Sequence, residues 1–177
     1  MKKTLLAWQI AGFVFTSVSG VLLHFLYDWS GQSVIAAPFS ALNEYILDHL
    51  KLLFFPMFLF ALVENRKAGK NYPGFWCVKL TGVVFGLILI PVLYYTINGV
   101  FGGTPDWINI AIFFAVTAAV YLLETRLFLK STIPCKNSDG ALNVLYITAA
   151  LFLVFTFFPP HIPFFQDPIT KTYGAIR

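Results

Sequence analysis

Four ionisable residues stand close together within one long apolar stretch, Ser40–Pro56. They are Glu44, Asp48, His49 and Lys51. A charged side chain at the centre of a bilayer costs about 2.5–3.5 kcal/mol on insertion scales, whereas a Leu or Phe returns only about 0.3–0.6 kcal/mol. A membrane helix can therefore carry these groups only if they face protein partners or a hydrated cavity. An intramembrane cluster of this kind indicates a functional site.

Helical spacing divides these four residues into two directions. At about 100° per residue, Glu44, Asp48 and Lys51 share one stripe, whereas His49 points about 100° away from Asp48. Lys51 is placed to offset the like-charge contact between the two carboxylates. Because His49 points away from this stripe, we expect it to find its partner on another helix.

The composition is typical of a polytopic membrane protein. The chain has 177 residues, 58% of them hydrophobic and 11% charged, and its mean hydropathy is +0.76. It has no basic arm or block of like charge, so we expect no nucleic-acid partner. Five apolar segments predict an all-α bundle of five transmembrane helices in the lipid bilayer, forming a single domain. The predicted helices cover about residues 4–27, 40–64, 75–101, 107–129 and 141–158, followed by a tail at about 159–177.

The basic residues indicate the orientation of this bundle. The loops that contain Asp28 and Asp106 have no Lys or Arg. By the positive-inside rule the N-terminus is cytoplasmic and the tail lies outside. Cys77 and Cys135 then both lie near the cytoplasm, where disulfides are rare, so we expect no bond between them. Eight basic residues share the cytoplasmic side: Lys2, Lys3, Arg66, Lys67, Lys70, Arg126, Lys130 and Lys136.

This orientation places many polar residues in the outer half of the bundle or at its outer surface. Because five helices form a narrow bundle, the inward-facing members of this set can converge on a polar cavity. We expect the tail to fold back over the outer mouth, since its apolar side chains would otherwise face water. The candidate ligand-binding residues are Asn43, Glu44, Asp48, His49, Lys51, His24, Asn98, His161 and Asp167.

Three interpretations of this set stay open. Buried histidines and carboxylates can form a structural polar network, line a cavity for a small polar molecule or ion, or form a catalytic site. For catalysis, Glu44 and His49 are the candidate acid and base. His24, His49 and His161 are the candidate ligands of a divalent metal ion. The sequence has no H-E-x-x-H or G-x-S-x-G motif.

Three further charged residues lie near the predicted inner ends of the helices. Glu64 ends the second predicted helix, and Glu124 and Arg126 stand near the end of the fourth. Basic loops follow both segments, and charges at helix ends usually reach the headgroup region. We therefore expect all three to be ordinary interfacial charges.

Two rows of small residues indicate close helix packing. Gly12, Thr16 and Gly20 recur every four residues in the first helix, and Gly82 and Gly86 form a G-x-x-x-G pattern in the third. Such rows let helices approach closely, either within one chain or between copies. Oligomerisation through either row is therefore a further expectation.

The polar run of the second helix carries a family resemblance. The sequence NEYILDHLKLLFFP at 43–56, with HFLYD at 24–28 and DPITKTYG at 167–174, resembles a family of small bacterial integral-membrane proteins carried as a domain of unknown function. The likeness covers most of the chain, and Asp48 stands where that family commonly has Glu. The resemblance implies a multi-pass protein of the bacterial plasma membrane and the importance of Asn43, Glu44, His49 and Lys51. It implies no activity.

The leading functional hypothesis is the binding or translocation of a small polar molecule or ion. A membrane-embedded enzyme, metal-dependent or not, that acts on a lipid-like substrate is the first alternative. A subunit of a larger membrane complex is the second. The odd number of predicted helices and the absence of a visible inverted repeat count against an ordinary secondary transporter.

Overall fold

The computed structural model describes residues 2–41, 46–102, 105–130, 135–162, 165 and 173. These residues form five helices that are long and apolar enough to cross a membrane, which confirms the predicted all-α class and the number of spans. A single turn of 3₁₀ helix at Gly69–Asn71 also lies among them. The five helices are α1 (Lys2–Trp29), α2 (Ile46–Lys67), α3 (Phe75–Phe101), α4 (Asp106–Lys130) and α5 (Ser138–Phe157).

Helix α2 is the centre of the bundle and packs against the other four helices. In its most apolar window 78% of the residues are buried, compared with 22% in the corresponding windows of α1 and α5. Pro56 lies inside α2 without ending it. Because protein rather than lipid surrounds α2, its polar side chains can find partners on neighbouring helices.

Helix α2 ends later than predicted, and residues 42–45 near its predicted start lie outside the described residues. Ser40, the expected first residue, lies in the turn after α1, where its hydroxyl accepts a hydrogen bond from Tyr27 N (2.9 Å) and donates one to Leu23 O (2.5 Å). Ser40 thus inserts between two backbone groups of α1 that pair in a regular helix. At the other end α2 continues to Lys67, which places Glu64 inside the helix.

The small residues of α1 and α3 are packing positions within this chain. Gly12, Thr16 and Gly20 are all buried. A Cβ atom added at Gly12 would lie 2.5 Å from Tyr121 Cε1, and one at Gly86 would lie 2.6 Å from Leu53 Cδ2. These positions therefore let α1 and α3 come close to α2 and α4. Association of this chain with other copies or subunits is a separate expectation, which this packing does not test.

The helix order gives the bundle two chemically different ends. One end carries the starts of α1, α3 and α5 and the ends of α2 and α4. The eight basic residues named above lie near or beyond these helix ends, and we call this end the basic face. The connections at the opposite face contain no Lys or Arg between residues 30 and 41 or between 102 and 105.

Part of the tail is described, and it returns to the bundle. Phe165 is buried, and its ring lies 5.3 Å from the ring of Phe155 on α5. The rings of His161 and Tyr173 are 4.8 Å apart. Asp167 lies outside the described residues, so closure of the outer mouth by the tail stays a prediction.

Candidate functional site

The first buried ion pair lies in α2 near the opposite face. Lys51 Nζ is 2.5 Å from Asp48 Oδ1, and both side chains are fully buried. The ammonium group also donates to Ala37 O (3.3 Å) and Thr156 Oγ1 (3.4 Å). The expected pairing of Lys51 with an acid of its own helix is therefore confirmed for Asp48. Glu44 lies outside the described residues.

The histidine of α2 meets α1, as its direction on the helix predicted. The ring centroids of His24 and His49 are 6.2 Å apart. A space of about 10 Å³, room for about one water molecule, lies beside His49 and is also lined by Asn109. Asn109 Oδ1 is buried and has no hydrogen-bond partner among the described residues.

The rest of the predicted outer constellation is only partly described. Asn98 donates from its amide to Tyr94 O one turn earlier in α3 (2.9 Å). Asn43, Glu44 and Asp167 lie outside the described residues. No group of three His, Cys, Asp or Glu residues within the described part of the chain could hold a metal ion. His24, His49 and His161 all belong to this part of the chain, so these three do not come together as a metal-holding group, whereas the outer cavity stays a prediction.

A second ionic cluster, absent from the sequence prediction, lies near the basic face. Lys79 Nζ on α3 is 2.7 Å from Glu64 Oε2 on α2 and 2.7 Å from Glu124 Oε2 on α4. Glu64 and Glu124 are fully buried and Lys79 is nearly so. The expectation that Glu64 and Glu124 are interfacial charges is wrong, whereas Arg126, two residues after Glu124, is exposed as expected. We call Glu64, Lys79 and Glu124 the acidic cluster.

Helix α1 completes the acidic cluster with neutral groups. Gln9 is buried and donates from Nε2 to Glu64 Oε1 (3.2 Å). Next to it, the hydroxyl groups of Thr16 and Tyr121 share a hydrogen bond of 2.8 Å. The acidic cluster therefore receives side chains from α1, α2, α3 and α4, which buries its charges away from lipid.

Aromatic rings surround the ammonium group at the centre of the acidic cluster. Lys79 Nζ lies 5.5–5.7 Å from the ring centroids of Phe75, Tyr121 and Phe128. The faces of aromatic rings attract cations at such distances. These rings offset part of the cost of dehydrating the lysine, and they also separate it from solvent at the basic face.

A glycine on α3 makes room for one of the carboxylates. A Cβ atom at Gly82 would lie 2.5 Å from Glu124 Oε1 and 2.8 Å from Glu124 Cγ. The absence of a side chain at this position therefore lets Glu124 lie flat against α3 and reach Lys79. The G-x-x-x-G pattern, read from sequence as a packing motif, has this second use.

The charges of the acidic cluster do not balance. Two carboxylates and one ammonium group carry a net charge of −1 when all three are ionised. Two buried oxygen atoms, Gln9 Oε1 and Glu124 Oε1, also have no hydrogen-bond partner among the described residues. The arrangement can therefore accept a positively charged or hydrogen-bond-donating ligand.

Two open spaces are lined by side chains that also contact the acidic cluster. A cavity of about 240 Å³ at the basic face is lined by Lys2, Tyr72 and Phe128, among others. A groove of about 230 Å³ between α1 and α4 is lined by apolar side chains together with Gln9 and Tyr121. Counting 1.5 Å per residue, the cluster lies about 5–9 Å from the basic-face ends of its helices, so the path from the cavity is short.

The negative charge of Glu64 affects Tyr72, which lines this cavity. Tyr72 stands between α2 and α3, and its pKa is raised above the usual value by burial and by the nearby charge of Glu64. The phenol is therefore neutral at physiological pH. The Tyr72 and Phe128 rings are tilted against each other with their centroids 5.4 Å apart. Both rings line the cavity, and Phe128 also lies against Lys79.

Cys77 and Cys135 form a disulfide at the basic face, so the expectation of two separate thiols is wrong. Their Cα atoms are 5.9 Å apart, within the usual range for this bond. The bond joins the first turn of α3 to the segment before α5. Sequence separation and compartment arguments could not predict it, because the pairing depends on how these two segments meet.

The sequence did contain one signal for the acidic cluster. Lys79 is an ionisable residue inside the third apolar segment, and such residues usually have a buried partner. Glu64 lies at the same depth because α2 extends one turn beyond its predicted end. Neither residue belongs to a dense polar run, so local spacing alone does not connect them.

Comparison with known proteins adds a family but no activity. A model of a family of unknown function, DUF6512, matches residues 1–175. No curated protein and no solved structure matches the chain. The match extends over almost the whole sequence and includes both ionic clusters, and the chain therefore belongs to this family of unknown function.

Proposed function

We propose that this protein binds a small monovalent cation, either a proton or an alkali-metal ion, at the acidic cluster. The observation that carries the proposal is that two fully buried carboxylates share one ammonium group. This is a specific form of the hypothesis that the protein binds or translocates a small polar molecule or ion. We also propose, on the family resemblance of the sequence, that the protein lies in the plasma membrane of a bacterium.

The cost of burying charge supports the cation. An ionised group taken out of water without compensation is very unfavourable, and buried charges are therefore paired or neutralised. Lys79 compensates one carboxylate charge and leaves the other. A proton on either glutamate, or a metal cation beside Glu124 Oε1, compensates the second.

The surroundings of the acidic cluster also support exchange with solvent. The cavity at the basic face reaches to within one layer of aromatic rings of Lys79, and Phe128 belongs to both. Rotation of such a side chain would connect the cluster with water at that face. Translocation would need a second exit, and the groove beside Gln9 and Tyr121 is the nearest open space.

A purely structural network is the competing explanation, and thermal unfolding in detergent separates the two. Bound cation stabilises the folded state, by about 2.7 kcal/mol when its concentration is 100 times the dissociation constant. We expect the melting temperature to rise with added Li⁺, Na⁺ or K⁺, or with falling pH in the absence of these ions. The measurement covers a series of salt concentrations at constant ionic strength.

The variant Glu124→Gln leaves one carboxylate for one ammonium group, so its melting temperature should lose this dependence. Asp139→Asn, which removes an exposed acid near the same face, is the matched control and should keep it. A wild-type melting temperature that is independent of both cations and pH would refute the proposal.

A metal-dependent site in the outer half is the second candidate. The approach of His24 to His49, and the unpaired Asn109 Oδ1 beside His49, favour it. In this proposal His24 and His49 are metal ligands and Glu44 is the base of an enzyme that acts on a lipid-like substrate. Metal analysis of protein purified without chelators tests it, since His49→Ala should lower the bound metal from one equivalent. Absence of stoichiometric metal in the wild type would exclude it.

A further inference from the structure

The disulfide lies at the end of the molecule where a stable disulfide is least expected. The basic face carries eight of the Lys and Arg residues near the helix ends, and the positive-inside rule assigns such a face to the cytoplasm. Cytoplasmic thiols are kept reduced, and the disulfides that do form there are usually catalytic or redox-sensing. Cys77 and Cys135 are nevertheless placed for a bond.

Both cysteines are accessible enough to react. Each is only partly buried, and Cys135 lines the 240 Å³ cavity at the basic face. Thiol–disulfide exchange requires that an attacking thiolate reach a sulfur atom, so exposure decides whether a disulfide is exchangeable. A small thiol can approach this one through the cavity.

The disulfide also joins the start of α3 to the residues just before α5. Cys77 belongs to the first turn of α3, and Cys135 precedes α5 at Ser138. Cys135 packs on Gly74, where an added Cβ atom would lie 2.8 Å from Cys135 Cβ, and Gly74 has a φ of +71°. The disulfide thus fastens Cys135, just before α5, to the start of α3 beside the cavity.

We propose that Cys77 and Cys135 form a thiol–disulfide switch that reacts with low-molecular-weight thiols and disulfides and sets the position of residues 135–137, just before α5, at the cavity. Oxidation by a small disulfide converts two protein thiols into one S–S bond and releases two small thiols. Each exchange step forms one S–S bond and breaks another, and the two thiol protons pass to the released thiolates. The observations that support this switch do not depend on the proposed cation site.

A redox titration of the wild-type protein tests the chemistry. Purified protein is equilibrated with reduced and oxidised glutathione at a series of ratios, quenched with acid, and labelled with a maleimide that shifts its mobility on a gel. We expect comparable amounts of dithiol and disulfide within the range of ratios found in the cytosol. A disulfide that persists in the most reducing buffer, with the protein still folded, would identify a structural bond and overturn the proposal.

Limited trypsin digestion tests the structural consequence. Lys136 is exposed and follows Cys135 directly, while exposed Lys70 serves as the internal reference site. Reduction should increase cleavage at Lys136 relative to Lys70 several-fold. Cys77→Ser should be cut at the faster rate under both conditions. Equal cleavage ratios in reduced and oxidised wild type would show that the bond does not hold residues 135–137 and would also overturn the switch.

Discussion

Glu64 on α2 and Glu124 on α4 approach the same ammonium group, with one oxygen of each carboxylate 2.7 Å from Lys79 Nζ. The two glutamates are 60 positions apart in the chain, and three helices meet at the lysine. The buried cluster near the basic face therefore contains two acidic side chains and one basic side chain. At the other end of α2, Lys51 forms an ion pair with Asp48 of the same helix.

Removal of the shared lysine should be strongly destabilising. Lys79→Met leaves two buried carboxylates without a counter-charge, and breaking a buried ion pair in this way costs about 3–5 kcal/mol. Adding Glu64→Gln and Glu124→Gln to the same chain should recover most of this loss. Urea unfolding followed by circular dichroism measures both effects, with the exposed Lys67→Met as control. Equal stability of Lys79→Met and wild type would contradict the buried pairing.

The space at Gly82 should be essential for Glu124. In Gly82→Ala the new methyl group would overlap Glu124 Oε1, so we expect a loss of about 1–3 kcal/mol, typical of overpacking. Gly99→Ala is the control in the same helix, since an added Cβ there meets nothing within 4 Å. The Gly99→Ala substitution should leave the free energy of unfolding unchanged or raise it by up to about 1 kcal/mol. The melting temperatures of the two variants should therefore shift in opposite directions or by clearly different amounts.

The neutral pair near the opposite face should stabilise the protein without binding a cation. Lys51→Met removes the ammonium group that is paired with the buried Asp48, and breaking a buried ion pair in this way should cost about 3–5 kcal/mol. The double variant Asp48→Asn/Lys51→Met should be much closer to wild type, and its melting temperature should keep the wild-type dependence on cations and pH. If the folded double variant lost that dependence, the cation would bind at the Asp48–Lys51 pair and not at the acidic cluster.

The tail should contribute to stability through one aromatic contact. Phe165 is 7% exposed and packs on Phe155, whereas Phe158, just after α5, is 74% exposed. Phe165→Ala should therefore cost up to about 3–5 kcal/mol, as for other buried aromatic side chains, and Phe158→Ala should cost little. Thermal unfolding of both variants in the same detergent checks the difference. Equal effects would mean that the tail is not anchored at Phe165.

Apolar patterning predicted the helices of this protein well, because a span must be long and apolar whatever its neighbours are. The range predicted for α3 agrees with Phe75–Phe101. The Asp48–Lys51 pair was also predictable, since residues three apart on a helix are neighbours. Both inferences use only local sequence.

The acidic cluster and the disulfide depend on contacts between distant segments, and this explains why they were not predicted. Glu64 and Glu124 each looked like a residue at a helix end, and only the packing of α2 against α3 and α4 brings them to Lys79. The disulfide was rejected from its compartment, although its formation depends on the distance between Cys77 and Cys135. Neither distance can be read from spacing along the chain.

Infrared difference spectroscopy tests the central claim most directly, because the C=O stretch of a protonated carboxyl group differs from the stretches of a carboxylate. In buffer free of alkali-metal ions, wild type should show a protonated-carboxyl band that disappears when saturating Na⁺ is added or the pH is raised. The folded variant Glu64→Gln/Glu124→Gln should lack this response. A folded wild-type protein with no such band, and with no change in its carboxylate bands on addition of Li⁺, Na⁺ or K⁺, would contradict the account.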